Sequence, residues 1–352
     1  MKVLVAMSGG VDSSVAAALL QESGHEVVGA TLKLWGGASD SGCCSVADVD
    51  DARRVAQTLG IDHHVFNYTE EFETLVVEPF VRDHARAMSP NPCIECNRHI
   101  KFDLLVERAR RLGFDAVATG HHAQVEWRAG EALLTRGADS AKDQSYVLGY
   151  LHREQLERLL LPIGAMTKSE VRAHAERVGL RTWDKPDSQD VCFIESSLGR
   201  EVFLRSRIPL SSADLVDRAS GEVVGHTDAA ELMTVGQRRG VLPGRDGEKR
   251  FVARVDIARR RVEVGRLEEV MVDSLMLDQN SLSFARDALA PDTPLWAQWS
   301  AHGQPRRATL RFRGEWSLDL DEAARPVAAG QSVVLYSLSD PRVVEGAALA
   351  RR

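Results

Sequence analysis

The first 120 residues alternate between short apolar runs and longer amphipathic segments. The apolar runs predict strands at residues 2–7, 26–34, 63–68 and 116–119. The amphipathic segments predict helices at residues 13–23, 45–59, 70–87 and 99–112, with Ser45 as an N-cap and Gly60 as a stop for the second. Such alternation predicts an α/β fold with a doubly wound parallel sheet, in which ligands bind at the carboxyl ends of the strands.

After residue 120 the pattern becomes increasingly rich in β-structure. Residues 124–127 and 132–136 predict a hairpin, and residues 153–160 and 167–178 predict two helices, the second capped by Thr167 with Glu170 three residues on. From about residue 201, short β-runs separated by Gly and Pro predict small β-barrel-like modules. We therefore expect three domains, at residues 1–200, 201–267 and 268–352.

The turn between the first predicted strand and helix has the sequence Ser-Gly-Gly-Val-Asp-Ser, from Ser8 to Ser13. A turn of this kind points the unpaired N–H groups of a helix N-terminus at one spot, which suits a phosphate. The Walker pattern G-x-x-x-x-G-K-[ST] is absent, and we expect no lysine at a position from which it could reach a terminal phosphate. The turn therefore indicates phosphate chemistry other than γ-phosphoryl transfer.

Composition is that of a soluble globular protein, with 44% hydrophobic and 27% charged residues among 352. No apolar run approaches the roughly 20 residues of a membrane span, and the first strand begins without a signal-peptide pattern. Five cysteines are too few for a disulfide scaffold, and Cys43 and Cys44, in a Gly/Ser-rich loop, are expected to be incidental. We expect a cytoplasmic protein without a membrane partner.

The net charge of −7 conceals two local clusters of basic residues. Residues 234–266 hold ten Lys or Arg against four Asp or Glu, and a second cluster comprises Arg306, Arg307, Arg311 and Arg313. Such patches can follow a phosphate backbone, or can be solvated faces of strands. Charge alone leaves both interpretations open.

Cys93 and Cys96 lie in a Pro-broken loop before a helix expected to begin near Arg98. A thiol at a helix N-terminus has its thiolate stabilised by the helix dipole. The C-x-x-C spacing suits a disulfide exchanger, half of a metal site or two ligands of an iron–sulfur cluster, with Cys192 as the distant third cysteine. Cys192 could equally be a small buried hydrophobic residue.

The Ser8–Ser13 turn resembles the PP-loop of the ATP pyrophosphatases, whose fold is that of the adenine nucleotide alpha hydrolases. Five further motifs follow in order: N-P-x-x-x-C-N-x-x-I-K-F at 91–102, A-T-G-H at 118–121, K-D-Q-S-Y at 142–146, D-S-x-x-V-C-F-I at 187–194 and G-Q-R-x-G at 236–240. Together they resemble the bacterial tRNA-specific 2-thiouridylase family, over essentially the whole chain.

The resemblance implies an ATP-dependent tRNA sulfurtransferase that makes 2-thiouridine at the wobble position. The C2 oxygen of the flipped uridine would attack the α-phosphate, releasing pyrophosphate. Cys192 would carry a persulfide, and Cys96 would assist as nucleophile and can form a disulfide with Cys192. The residues implied in ATP binding, together with Mg²⁺, are Ala6, Met7, Ser8, Gly9, Gly10, Val11, Asp12, Ser13, Leu32 and Gly120.

The resemblance also implies the contacts to RNA and to a sulfur donor. The target base would meet Asn91, Pro92 and Cys93. Other tRNA contacts would come from His121, Lys142, Asp143, Gln144, Arg311, Phe312 and Gln331. The persulfide would come from a cysteine desulfurase or a sulfur relay protein.

One position departs from the family pattern, because many members have Asp where this chain has Cys93. A neutral thiol cannot replace a carboxylate in proton transfer, so a general-base role is not carried over. Cys93 is then either a resolving thiol for Cys96, or, with Cys96 and Cys192, a ligand of a [4Fe–4S] cluster.

Two other functions compete with this one. A different PP-loop enzyme, such as an amide-forming ligase, would need neither Cys96 nor Cys192 nor the basic β-modules. A non-catalytic RNA- or nucleotide-binding descendant would have no need of an intact PP-loop and both cysteines.

Overall fold

The computed structural model describes residues 1–35, 45–187, 191–194, 199–244, 247–286 and 288–351, so Cys43 and Cys44 lie outside the described residues. Its first half is built on a five-stranded parallel sheet with strand order β3-β2-β1-β4-β7. The strands are β1 (Lys2–Ala6), β2 (Glu26–Lys33), β3 (Asp62–Asn67), β4 (Ala116–Thr119) and β7 (Leu159–Leu160). The predicted α/β fold with a parallel sheet is confirmed.

Helices connect these strands and cover the sheet. The α-helices of this half are α1 (Val11–Glu22), α2 (Val46–Leu59), α3 (Thr69–Phe72), α4 (Glu78–His84), α5 (Pro92–Glu95), α6 (Leu105–Arg111), α7 (Arg153–Leu156) and α8 (Lys168–Arg177). Two π-helical segments, Glu73–Val77 and Cys96–Leu104, and one 3₁₀ turn, Ser145–Leu148, complete the set. The caps of α2 are as predicted, with a Ser45–Asp48 capping box and Gly60 at φ 66°.

Two apolar clusters lie on the parallel-sheet half. One is centred on α1 and α8, with Val15, Ala16 and Val171 fully buried. The other gathers aromatic side chains from the helices after β3, including Phe72 and Phe80, around Phe193. We call this second group the aromatic cluster. Its rings lie 5.8 Å (Phe72–Phe193) and 5.3 Å (Phe80–Phe193) apart between centroids, so it is a packed core rather than a surface patch.

The second half is rich in β-structure, as predicted. The β5–β6 hairpin (Ala123–Arg128 and Glu131–Arg136) precedes a four-stranded sheet of order β10-β11-β8-β9, in which β8 and β11 are parallel. Its strands are β8 (Ala213–Asp217), β9 (Val223–Thr227), β10 (Phe251–Asp256) and β11 (Arg261–Gly265). The short helices nearby are α9 (Gly199–Arg205), a 3₁₀ turn (Ala230–Leu232) and α10 (Leu267–Val270).

A seven-stranded sheet of order β12-β16-β15-β14-β17-β18-β13 ends the chain. Its strands are β12 (Val272–Met276), β13 (Ser283–Phe284), β14 (Thr293–Gln298), β15 (Arg306–Phe312), β16 (Trp316–Ala324), β17 (Ser332–Ser337) and β18 (Val344–Leu349). This sheet contacts the β5–β6 hairpin: Arg136 donates to Gln298 Oε1 at 2.7 Å, and its guanidinium lies 3.8 Å from the centre of the Tyr336 ring. Residues distant in sequence thus reach the parallel-sheet half.

Two predicted helices differ from the observed structure. The predicted helix 99–112 begins earlier, at Pro92, and runs through the π-helical segment to Arg111. Asn91 caps it by accepting from the N–H groups of Cys93 and Ile94, so a Pro at the first helical position starts the helix rather than delaying it. The predicted helix 153–160 ends at Leu156, because Leu159 and Leu160 pair with β4 as an edge strand.

Among the described residues, none of the helices combines the length and the apolar character that a membrane crossing requires.

Candidate active site

The PP-loop occupies the turn between β1 and α1, at the carboxyl edge of the parallel sheet. Ser13 Oγ accepts from the Ser8 N–H at 3.1 Å, and Ser14 Oγ donates to the Gly10 carbonyl at 2.7 Å, which fixes the loop around the start of α1. Gly9 has φ 74°, and a Cβ there would lie 2.3 Å from the Asp48 carbonyl oxygen. The loop therefore needs glycine to turn and to lie against α2.

A cavity of about 540 Å³ opens over this loop. Nine of the ten residues predicted to bind ATP line it: Ala6, Met7, Ser8, Gly10, Val11, Asp12, Ser13, Leu32 and Gly120. The tenth, Gly9, lies inside the loop against α2. Gly120 closes the cavity from β4, since a Cβ there would lie 2.4 Å from the Ser13 backbone nitrogen. The first N–H groups of the twelve-residue α1 point toward this space, as an anion site requires.

Two lysines reach the PP-loop from far along the chain, which corrects the expectation that no lysine is within reach. Lys168 Nζ donates to both carboxylate oxygens of Asp12, at 2.8 and 2.7 Å, from 156 residues away. Lys185 Nζ donates to the Gly9 carbonyl at 3.0 Å and forms ion pairs with Asp48 and Asp51. Both lysines line the cavity, so they can neutralise phosphate charge without a Walker lysine.

Asp12 is ionised in this environment. Burial alone would raise the pKa of its carboxyl group, but hydrogen bonds from His122 and Lys168 outweigh burial and lower the pKa. Its partner His122 is buried, with Nε2 at 3.2 Å from Asp12 Oδ1. The sequence assigns no role to His122 or Lys168, because neither belongs to the PP-loop pattern.

Asp187, which also lines the cavity, contacts three cations. Its carboxylate accepts from Lys142 Nζ at 2.8 Å, pairs with Lys168 Nζ at 2.7 Å and accepts from Arg172 Nη2 at 3.1 Å. Burial would raise the pKa of Asp187, yet the hydrogen bonds from Lys142 and Lys168 lower it to about 2. Asp187 is therefore a carboxylate at any pH at which the protein works.

The loop of Lys142, Asp143 and Gln144, predicted to contact tRNA, lines the same cavity. Gln144 exchanges two hydrogen bonds with the backbone of His122, both at 2.8 Å. The Asp143 carboxylate accepts from Arg136 Nη1 at 2.8 Å and from Ser145 Oγ at 2.9 Å, so it shapes the loop from within.

His121 also lines the cavity and is neutral. Burial lowers the pKa of its imidazole well below the ordinary value, and the nearby charge of Lys101 lowers it further. One ring nitrogen, Nδ1, lies 2.7 Å from the Thr119 hydroxyl. A neutral imidazole can exchange hydrogen bonds with a nucleobase but cannot pair ionically with a phosphate.

The cysteines differ in exposure: Cys93 is exposed, Cys96 is buried and Cys192 is half-buried. Cys96 belongs to the aromatic cluster, and Cys192 packs against it beside Phe193. Within the described part of the chain, no group of three or more His, Cys, Asp or Glu side chains could hold a metal ion. With one thiol exposed and another in an apolar core, the three cysteines do not fit a shared cluster in this arrangement.

The cavity and the aromatic cluster share a wall. Leu32 and Leu34 belong to the cluster and also line the cavity. Lys101, on the π-helical segment that begins at Cys96, lines the cavity as well. π-helical turns are uncommon in proteins, and those that occur are frequently found at functional sites. The two cysteines thus belong to an apolar layer of which one part, Leu32 and Leu34, lines the cavity.

The remaining predicted contacts lie outside this cavity, and they include Asn91, Pro92 and Cys93 at the start of α5. Arg311, on β15, forms ion pairs with Asp292 and Asp319, and its neighbour Phe312 is 48% exposed. Gln331 precedes Ser332, whose carbonyl accepts from the hydroxyl of the cavity-lining Tyr146 at 2.9 Å.

The basic cluster on β15 is largely neutralised. Its four arginines, Arg306, Arg307, Arg311 and Arg313, each form an ion pair with a carboxylate on β16. A count of charged residues along the sequence cannot show a partner on the neighbouring strand. The exposed Ala301 and His302, from the loop after β14, line the cavity and were likewise not found from the sequence, because no motif marks them.

Two family models match this chain. One, described as the tRNA methyl transferase HUP domain, matches residues 1–196, and the other, the tRNA methyl transferase PRC-barrel domain, matches residues 201–266. Among solved structures, a 4-thiouridine synthetase–RNA complex with bound ATP matches at 17% identity with a TM-score of 0.38, covering 54% of this chain and 44% of that one. That likeness is too remote to assign anything here.

Curated relatives match along the full length. The tRNA-specific 2-thiouridylase MnmA of Acidothermus cellulolyticus is 44% identical, covering 100% of this chain and 98% of its own. The proteins of the same name from Mycolicibacterium smegmatis and Geobacter metallireducens are 42% and 41% identical, covering 100% and 95% of this chain and 100% and 93% of their own. This chain therefore belongs to the tRNA-specific 2-thiouridylase family.

Proposed function

We propose that this protein uses ATP to replace the C2 oxygen of the wobble uridine of tRNA with sulfur. One observation supports this most: a cavity walled by the PP-loop and by the Lys142–Gln144 loop lies against the apolar layer that holds Cys96 and Cys192. Nucleotide activation and sulfur transfer need to occur on the same base, and this arrangement provides both environments side by side.

The first step activates the base. A uridine must leave its stack to reach an enclosed cavity. Its C2 oxygen attacks the α-phosphate, the bond to the bridging oxygen breaks, and pyrophosphate leaves with the electron pair. The N–H groups at the start of α1 and the ammonium groups of Lys168 and Lys185 stabilise the charge that develops on pyrophosphate.

Mg²⁺ is expected to accompany ATP, because it binds phosphates together with one or two carboxylates. The residue that fits is Asp12, an ionised carboxylate on the cavity wall beside the PP-loop. When bound, Mg²⁺ supplies charge neutralisation to the phosphates.

The second step transfers sulfur. The terminal sulfur of a persulfide on Cys192 attacks C2, and AMP leaves with its oxygen. The Cys96 thiolate then attacks Cys192 Sγ, so the S–S bond of the persulfide breaks and its electron pair remains on the sulfur bound to C2. The two cysteines are thereby oxidised to a disulfide, which a dithiol reductant must reduce before the next cycle.

The RNA and donor partners follow from the same proposal. Asn91, Pro92 and Cys93 would contact the flipped base at its entry, since they lie outside the cavity at the start of the helical segment that brings Lys101 to the cavity wall. Lys142, Gln144 and His121 would bind the surrounding nucleotides. Arg311, Phe312 and Gln331 would extend the contact along the tRNA. The persulfide comes from a cysteine desulfurase or sulfur relay protein, and the reaction takes place in the cytoplasm.

The test is to incubate the full-length protein, kept anaerobic, with ATP and Mg²⁺, a persulfide donor and unmodified tRNA. Mass spectrometry of the digested nucleosides should detect 2-thiouridine, and only when ATP is present. A methylated nucleoside instead would support the description that the family models carry. Turnover of ATP with a small carboxylate and no effect on tRNA would support a PP-loop ligase.

A further inference from the structure

The Asp187 carboxylate lies between two lysines that face different ligands. Lys168 contacts Asp12 of the PP-loop, and Lys142 belongs to the loop predicted to contact tRNA. Both ammonium groups contact Asp187, one through each carboxylate oxygen. Since like charges repel, the Asp187 carboxylate between the two ammonium groups offsets the repulsion between them.

The position of Asp187 is fixed by Arg172. Arg172, on α8, donates to the carbonyl oxygens of Trp183 at 2.7 Å and Lys185 at 2.9 Å, and its Nη2 also donates to Asp187 at 3.1 Å. The segment from 183 to 187 is thereby fixed against the helix whose first residue is Lys168. A guanidinium that binds two carbonyls and a carboxylate gives the carboxylate a defined position rather than a mobile one.

The same side of the cavity has a second, independent tie between the two loops. Gln144 holds the His122 backbone, and the His122 ring contacts Asp12. This second tie keeps the two loops at a fixed separation. Removal of the Asp187 charge should therefore release Lys142 from its ion pair and leave Lys168 held from the Asp12 side alone, without separating the loops.

We infer that Asp187 is a positioning residue shared by the two halves of the cavity, holding Lys168 for the nucleotide phosphates and Lys142 for tRNA. The inference rests on the proposed function, and it adds a residue for which the PP-loop and cysteine motifs assign no role. The Asp187 carboxylate lines the cavity but is engaged by Lys142, Lys168 and Arg172, so its role is to act through the two lysines. Residues that orient a binding group in this way commonly contribute about tenfold or more to its effect.

The experiment measures binding of a non-hydrolysable ATP analogue and of unmodified tRNA to Asp187→Asn, which keeps the shape and removes the charge. We expect both dissociation constants to rise about tenfold. Asp187→Glu, which keeps the charge, should recover part of each loss. Asp184→Asn, an exposed carboxylate three residues upstream, is the matched control and should bind both ligands as the unmodified protein does.

A merely structural role is separated from a positioning role by combining variants. In a Lys142→Gln background, Asp187→Asn should still weaken the ATP analogue but no longer weaken tRNA. In a Lys168→Gln background the pattern should reverse. If Asp187→Asn weakens both ligands equally in both backgrounds, or tightens either ligand, the inference is overturned.

Failure of the proposed function would look different. If the unmodified protein binds the ATP analogue but not tRNA, the proposed function is wrong, whatever the variants of Asp187 do. If it binds both and makes 2-thiouridine, while Asp187→Asn leaves both dissociation constants unchanged, only the role of Asp187 is wrong.

Discussion

The cavity wall around the PP-loop and the aromatic cluster behind it are stabilised by opposite means. The wall is made of paired charges, with Asp12, Asp187, Lys168 and Lys185 all engaged in ion pairs or hydrogen bonds. The cluster is made of packed rings around Phe193, with Cys96 buried among them. The two regions meet along one side of the cavity, where Ala30, Leu32 and Leu34 belong to both.

The difference matches two chemical demands of the proposed reaction. Departure of pyrophosphate needs cations and N–H groups in fixed positions, because the charge appears on phosphate oxygens. A persulfide needs protection from water and from stray thiols, which an apolar layer provides. Activation and sulfur transfer should therefore fail separately when one region is altered and the other is left intact.

The largest expected effect comes from the cysteines. Cys192→Ser should lower 2-thiouridine formation by at least about a thousandfold, because the sulfur carrier is gone. Exchange of labelled pyrophosphate into ATP in the presence of tRNA should continue, since activation does not use the thiol. Loss of the exchange reaction along with thiolation would contradict the division of labour between the regions.

The second-largest effect is expected from a substitution in the charged wall of the cavity, which should impair activation rather than sulfur transfer. Lys168→Gln should slow pyrophosphate exchange by roughly a hundredfold, because one donor to the leaving group is lost. The control is Lys2→Gln, a lysine at the opposite edge of the sheet, 3.8 Å from Glu26. Equal rates for Lys168→Gln and Lys2→Gln would show that Lys168 has no part in activation.

A third change separates packing from chemistry within the cluster. Phe193 is 2% exposed and contacts four aromatic rings, so Phe193→Ala should lower the free energy of unfolding by about 3–5 kcal/mol. Phe312→Ala, at an exposed ring, should change it by less than about 0.5 kcal/mol. Denaturant unfolding measures both, and comparable losses would contradict a core role for Phe193.

The smallest expected effect is a pH dependence of the folding stability, which comes from His99 on the helical segment that begins at Cys96. Hydrogen bonds with Asp103 and Glu95 raise the pKa of His99 to about 9, against the effect of burial. Because the folded-state pKa is raised, the stabilisation is fully present below the unfolded value of 6.5 and is lost as pH rises through about 9.

His99→Gln tests this dependence. The variant should be less stable than the unmodified protein by roughly 0.5 kcal/mol near pH 6, since half-exposed ion pairs are weak, and equally stable near pH 10. Denaturation midpoints at the two pH values measure the difference. A stability gap that does not change between them would show that the charge on His99 contributes nothing.

Local signals predicted much of the parallel-sheet half. Strand β4 (Ala116–Thr119) and the capped helix α2 are as expected, because apolar periodicity and capping residues act over a few positions. The helix from Pro92 and the edge strand β7 were not predicted correctly. The helix begins at Pro92, where a loop was predicted, because Asn91 caps it. Leu159 is in a strand, where a helix was predicted, because it pairs with β4.

The sequence by itself determined the PP-loop, the two cysteines and the order of strands and helices, since each depends on neighbouring residues. Only the tertiary structure decided which charges meet. Lys168 and Lys185 reach the loop across 156 and 176 residues, and the arginines of β15 find their carboxylates on β16. Electrostatic interactions act through space, so a pattern read along the chain carries no record of them.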